Sequence, residues 1–182
     1  MEPEQLFDGK DPKVVLAKVE EMIETFLKET GMDDNPVIQR MLDGETGAQA
    51  MGMTRDDLEV LYTLGFTLLS QGDVQKAHDV FFKLVTIDPL EAKNHYCMGI
   101  VKQMQGDFAV AAEQFIYFLA MDATNPEGYL RYGECQLALG ERDKALEAFE
   151  LAVAEAKAGN GDEITLAEAE SKLAMLKKET VQ

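Results

Sequence analysis

Basic residues are scarce in this chain: 17 Lys and Arg stand against 34 Asp and Glu, for a formal charge of −17. A surface dominated by negative charge repels phosphate backbones and anionic lipid headgroups, so nucleic acid and membrane are expected to be poor direct partners. Cysteine is scarcer still. Only Cys97 and Cys135 occur, far apart and without a CxxC or Cys/His cluster, which fits reduced, partly buried thiols better than a disulfide framework or a zinc site. Apolar runs fall far short of the ~20 residues a membrane span needs, and the opening MEPEQLFDGK lacks the basic and apolar regions of a signal peptide. A cytoplasmic protein is expected.

Signatures of chemistry are missing as well. No Gly-rich phosphate loop, nucleophile elbow or HExxH motif is present. His78 and His95 fall on different expected helices, His78 at the surface and His95 packed in the core. Asp33-Asp34 and Asp56-Asp57 lack the alternating spacing of a calcium loop and read as solvated caps. These absences argue against an enzyme, and no catalytic residue, cofactor or metal is assigned.

What the chain does have is enough apolar residues, 46% of 182, for one ordinary domain with a core, and they recur with a period. At a spacing of 34, Gly65, Gly99 and Gly133 coincide, as do Ala77, Ala111 and Ala145, and then Phe81, Phe115 and Phe149. LSQGD at 69–73, MQGD at 104–107 and ALGE at 138–141 each put a helix-ending Gly before an acidic residue suited to capping the next helix. The unit is a helical hairpin repeated three times. Its length and its Gly, Ala and Phe positions, with Pro89 closing the first unit, resemble the tetratricopeptide repeat (TPR). The later repeats depart from the pattern where Pro is expected, with Ala123 and Lys157 in its place. The expected fold is therefore all-α: three tandem repeats in an α-solenoid, with N-terminal helices and a C-terminal capping helix.

Three segments follow. Residues 1–53 form an N-terminal helical extension, with an amphipathic helix at 11–29 carrying Val15, Val19, Met22, Ile23, Phe26 and Leu27, a shorter helix from Asn35-Pro36 to Gly44, and a Gly-rich connector at 43–53. The array spans 54–159, opening at a Thr54-x-x-Asp57 capping box. A break at 159–161 leads into a capping helix within 160–182, with its start expected at Thr165.

In such an array the first helices of successive repeats line a concave face. The second, fifth, ninth and twelfth positions put Glu59, Tyr62, Phe66 and Leu69, then Lys93, Tyr96, Ile100 and Gln103, then Glu127, Leu130, Glu134 and Leu137 on it. An apolar residue at such a position is ordinarily core, and here an N-terminal segment folded across the groove would also account for it. Aromatic anchors in a concavity, however, suit the capture of a peptide. The candidate peptide-binding groove is therefore Tyr62, Phe66, Leu69, Tyr96, Ile100, Met104, Leu130 and Leu137. Of the ten Met residues, most read as core filler and Met104 as a contact.

A narrower resemblance is carried by MGMTRDDLEVLYTLGFTLLSQG at 51–72, Asp79-Val80-Phe81, the 103–106 stretch and NPEGYLRYGECQLALGE at 125–141. These segments, within residues 51–157, resemble the translocator (class II) chaperones of bacterial type III secretion systems. The resemblance implies a cytosolic carrier of hydrophobic pore-forming translocator proteins. It also implies that a short extended cargo segment lies in the concave groove, received here by Tyr62 and Phe66. Leu69 and Val74 stand where relatives often have Tyr, and the region before the repeats is longer than usual. The resemblance and the apolar face of 11–29 raise a homodimer, and some relatives also bind a transcriptional regulator. Other readings are a generic TPR adaptor or a clamp for an acidic C-terminus. The clamp would need Lys and Asn where Tyr62 and Phe66 stand.

Overall fold

A computed structural model describes residues 24, 25, 27–32 and 34–179 of the chain. Every regular element among them is helical, and they fall into two compact units, Met1–Gly52 and Met53–Gln182. In the first unit, residues 27–30 are helical, Leu27 is buried and the chain turns at Gly31. Val15, Val19, Met22, Ile23 and Phe26 of the helix expected at 11–29 lie outside the described residues. Helix α1 (Pro36–Leu42) starts where Asn35 accepts hydrogen bonds from the Val37 and Ile38 amides, with Pro36 at the first helical position. The segment expected to be only a connector contains a short helix, α2 (Gly47–Ala50). Its signal was in the sequence: Thr46 and Gln49 form a reciprocal capping box. Arg40 braces it, donating to the Ala50 carbonyl at 2.8 Å.

The second unit is three helical hairpins and a final helix. The hairpins are α3 (Arg55–Ser70) with α4 (Val74–Ile87), α5 (Ala92–Met104) with α6 (Phe108–Met121), and α7 (Pro126–Ala138) with α8 (Arg142–Glu155). Each helix packs on the next, α3 also lies beside α5, and the last helix, α9 (Glu163–Glu179), lies against both α8 and α7. Local chemistry sets the boundaries. Thr54 and Asp57 cap α3 reciprocally. The hairpin turns pass through Gly72, Gly106 and Gly140, whose φ angles of 78°, 76° and 80° are costly for any residue with a Cβ. Asp73 and Asp107 then cap α4 and α6 through their side chains, whereas Glu141, with a longer side chain, makes no such bond to α8. Asn125 caps α7 by accepting from the Glu127 and Gly128 amides.

Within each hairpin the glycine of the first helix lies against the phenylalanine of the second. A Cβ built on Gly65, Gly99 or Gly133 would lie 2.9, 2.7 or 2.6 Å from the ring of Phe81, Phe115 or Phe149, below any normal carbon–carbon contact. All three rings are fully buried, as are the paired Ala77, Ala111 and Ala145. The core around Phe81 extends to Cys97, Met98 and Val101 of the next hairpin, so successive repeats share their apolar surface. The third repeat is closed differently. Helix α8 runs on through a wide turn, Ala156–Asn160, and Gly159 at φ 93° breaks it. Helix α9 then begins at Glu163, not at Thr165, because Asp162 accepts the Thr165 amide at 2.7 Å and acts as the cap.

Two outcomes follow from this packing. Gly99→Ala should destabilise the chain by about 1–3 kcal/mol in urea unfolding through overpacking against Phe115, and Gly99→Asn by more. At Gly106, where a Cβ meets open space but φ is 76°, Asn should be tolerated better than Ala, because the strain there is in the backbone. The second outcome concerns the thiols. Cys97 and Cys135 are buried, and burial holds both above the ordinary thiol value, Cys135 at about 11. At pH 8 a soluble disulfide reagent should leave both unmodified in the native chain and titrate both in denaturant. The Cys135 contribution to stability is complete below the ordinary thiol value of 9.0 and is lost as pH rises through about 11.

Candidate peptide-binding groove

The side chains expected to line the concave side of the second unit stand on α3, α5 and α7. At the first repeat, Tyr62 and Phe66 stand one turn apart on α3 with their rings nearly parallel, centroids 6.3 Å apart and planes 17° off. Phe66 is 52% exposed, which for a ring of that size is an apolar surface left to solvent. Tyr62 is half-buried, set edge-on against Phe81 at 6.0 Å. Its hydroxyl accepts the Cys97 thiol at 3.5 Å, and burial together with that contact pushes its pKa upward. The Lys93 ammonium of α5 lies 4.4 Å above the Tyr62 ring and pairs with Glu59, so the two charges at this edge of the groove cancel. Leu69 is half-buried against the core beneath.

At the second repeat, Tyr96 packs between Phe115 and Phe118 with centroids 5.8 and 5.2 Å away and donates its hydroxyl to Glu127 of α7. Burial, and then that bond, raise its pKa. Ile100 is half-buried on the Phe115 core, and Gln103 donates to the Arg131 carbonyl at 3.4 Å. Met104, 54% exposed, ends the helix. The third repeat departs from expectation. Leu130 is 1% exposed and packs with Phe149, Ala169 and Leu176, so α9 covers it and it offers no surface to a ligand. Leu137 is half-buried at the edge of the same core.

The structure thus brings Tyr62 and Phe66 into one aromatic pair and seats Tyr96 and Ile100 on a second core, while removing Leu130. It also adds residues the repeat register did not single out. Arg131 sits 3.7 Å from Glu127 and 3.2 Å from Glu134, and Lys172 of α9 reaches Glu134 at 2.7 Å. The i,i+4 and i,i+3 spacings of Glu127, Arg131 and Glu134 were a usable signal, whereas Lys172 lies 38 residues beyond its partner. His95 is buried, with its two ring nitrogens 3.0 Å from the Gln114 amide oxygen and 2.9 Å from the Pro89 carbonyl oxygen. Among the described residues no three His, Cys, Asp or Glu side chains gather as a metal site, and no helix is long and apolar enough to cross a membrane.

Comparison with known proteins places this geometry. Residues 98–162 match the tetratricopeptide repeat family. The Low calcium response locus protein H of Yersinia pestis is 30% identical over 102 residues, covering 56% of this chain and 61% of that protein. The chain thus spans about three fifths of this curated relative. Among solved structures, a type III secretion (T3SS) complex from Aeromonas hydrophila aligns with a TM-score of 0.74 at 32% identity, over 81% of this chain and 99% of that one. PcrH, of Pseudomonas aeruginosa, solved with the chaperone binding region of PopD, aligns at 0.69 and 30% identity over 71% of this chain and 97% of its own. Because it covers nearly the whole length of these two solved structures at 30% identity or more, the chain belongs to the type III secretion translocator chaperones, a family built on tetratricopeptide repeats.

Proposed function

We propose that the chain is a cytoplasmic chaperone that binds hydrophobic type III secretion translocator proteins through an extended segment laid in its concave groove, keeping them soluble before export. The observation that carries this reading is the half-exposed Phe66 stacked on Tyr62, an apolar pair at the first repeat beside the mutually paired charges of Glu59 and Lys93. An aromatic shelf beside paired charges suits a neutral, apolar segment, because the charges of Glu59 and Lys93 are compensated by each other. The relatives support the same assignment: PcrH has been solved with chaperone binding regions of PopD and PopB, and SycD with a peptide of YopD. The groove in this reading is Tyr62, Phe66, Leu69, Tyr96, Ile100 and Met104, with Leu137 at its far edge. The role is binding, with no catalytic step, no cofactor and no nucleic-acid or direct membrane contact. Residues 54–159 serve as the array, 160–182 as its cap and 1–53 as an extension for self-association. SycD crystallises as dimers of more than one kind. A regulatory protein as a further client fits a groove that is empty once its cargo has been exported.

Two measurements decide the reading. Co-expression with a translocator should give soluble complex that co-purifies, and Tyr62→Ala combined with Phe66→Glu should abolish it, at a cost of about 2 kcal/mol or more per lost anchor, while circular dichroism stays helical. Unchanged cargo solubility and recovery would refute the groove and favour a generic TPR adaptor that uses another surface. Light scattering at micromolar concentration should give the mass of a dimer; a monomer would remove the self-association role of 1–53.

A further inference from the structure

A line of polar contacts runs from the middle of the groove to the last helix. Tyr96 on α5 donates to Glu127 on α7, the same carboxylate oxygen lies 3.7 Å from Arg131, and Arg131 donates to one oxygen of Glu134 at 3.2 Å. The other Glu134 oxygen takes the Lys172 ammonium of α9 at 2.7 Å. Two carboxylates and two cations cancel. The Lys172 end of the line is the better sheltered, with side-chain exposures of 19% for Glu134, 31% for Arg131 and 33% for Lys172 against 45% for Glu127. A sheltered carboxylate that loses one cation is left with an uncompensated charge, so its neighbours rearrange to cover it. Taking Lys172 away therefore frees Glu134 to compete for Arg131, and Arg131 in turn is drawn off Glu127. The apolar side of the same junction, Leu130 against Ala169 and Leu176, keeps α9 in place when the ion pair is gone.

We propose that α9 is a working wall of the groove and that Lys172, acting through Glu134, Arg131 and Glu127, is a positioning residue that fixes the ring of Tyr96. This rests on the groove reading above. Deleting the cap's charge changes how the groove holds its ligand without unfolding the repeat. The coupling is carried by fixed-charge contacts, so it weakens with added salt, whereas the apolar shelf at Tyr62 and Phe66 does not.

The test uses the full chain with the chaperone binding region of PopD as probe. Lys172→Met keeps the aliphatic stem and removes the ammonium. It should shift the Tyr96 ring signals in NMR spectra, assigned with Tyr96→Phe, leave those of Tyr62 in place, and weaken probe binding by about tenfold, as loss of a sheltered charge pair does. Lys172→Arg should restore both. If Lys172→Met fails to fold, Glu127→Gln, which breaks the same line one step from Tyr96, should give the same two changes. Unmoved Tyr96 signals, or affinity within twofold of the parent chain, would overturn the coupling. Phe66→Glu separates the two ideas: if it abolishes binding while Lys172→Met does nothing, the groove stands and the positioning role falls. If Phe66→Glu binds like the parent chain, or the parent chain does not bind the probe, the groove reading falls and this inference with it.

Discussion

Three contacts of one kind hold the array together: the bare backbone of a glycine against the ring of a phenylalanine sixteen positions later, at Gly65 and Phe81, Gly99 and Phe115, Gly133 and Phe149. At these points the two helices of a hairpin are closer than any side chain on the glycine would allow. The ring fills the crossing, the small residue at Ala77, Ala111 or Ala145 is buried with it, and the same core continues into the next hairpin. The close approach of the two helices within each hairpin follows from this contact.

On that frame the concave side divides by chemistry. Its first half is aromatic and open at Phe66, with the nearby charges of Glu59 and Lys93 paired to each other. Its second half is polar and closed, with Glu127, Arg131, Glu134 and Lys172 satisfying one another and α9 lying over Leu130. A chain with a formal charge of −17 would repel an acidic partner at long range, yet the groove itself carries little uncompensated charge. In the proposed function, solubility and grip are separated: acidic side chains on the surface keep the protein dispersed, and the apolar shelf is the part that holds cargo.

Much of this was legible in the residues. Period, hairpin turns and caps depend on local chemistry, so Gly72 with Asp73 and Asn125 with Pro126 announced their helices. The stacking of Tyr62 on Phe66 is consistent with their places one turn apart in the repeat register. The burial of Leu130 did not follow from that register, because it depends on which face α9 presents, and α9 is joined through a glycine-broken turn whose geometry no periodicity encodes. The start of α9 was misplaced for a related reason. Asp162 and Thr165 are both good caps in sequence, and the fold uses the first. Helix α2 is the opposite case: its capping box at Thr46 and Gln49 was readable and was hidden by neighbouring glycines.

In the proposed function a hydrophobic translocator is held at the open aromatic half of the concave side, around Tyr62 and Phe66. The most direct measurement is site-specific photocrosslinking in cells co-expressing such a protein, with a photoreactive phenylalanine analogue placed at Phe66 or, on a different exposed surface, at Leu151. A crosslink from position 66 to the cargo and none from position 151 is expected. A crosslink from position 151 alone would contradict it.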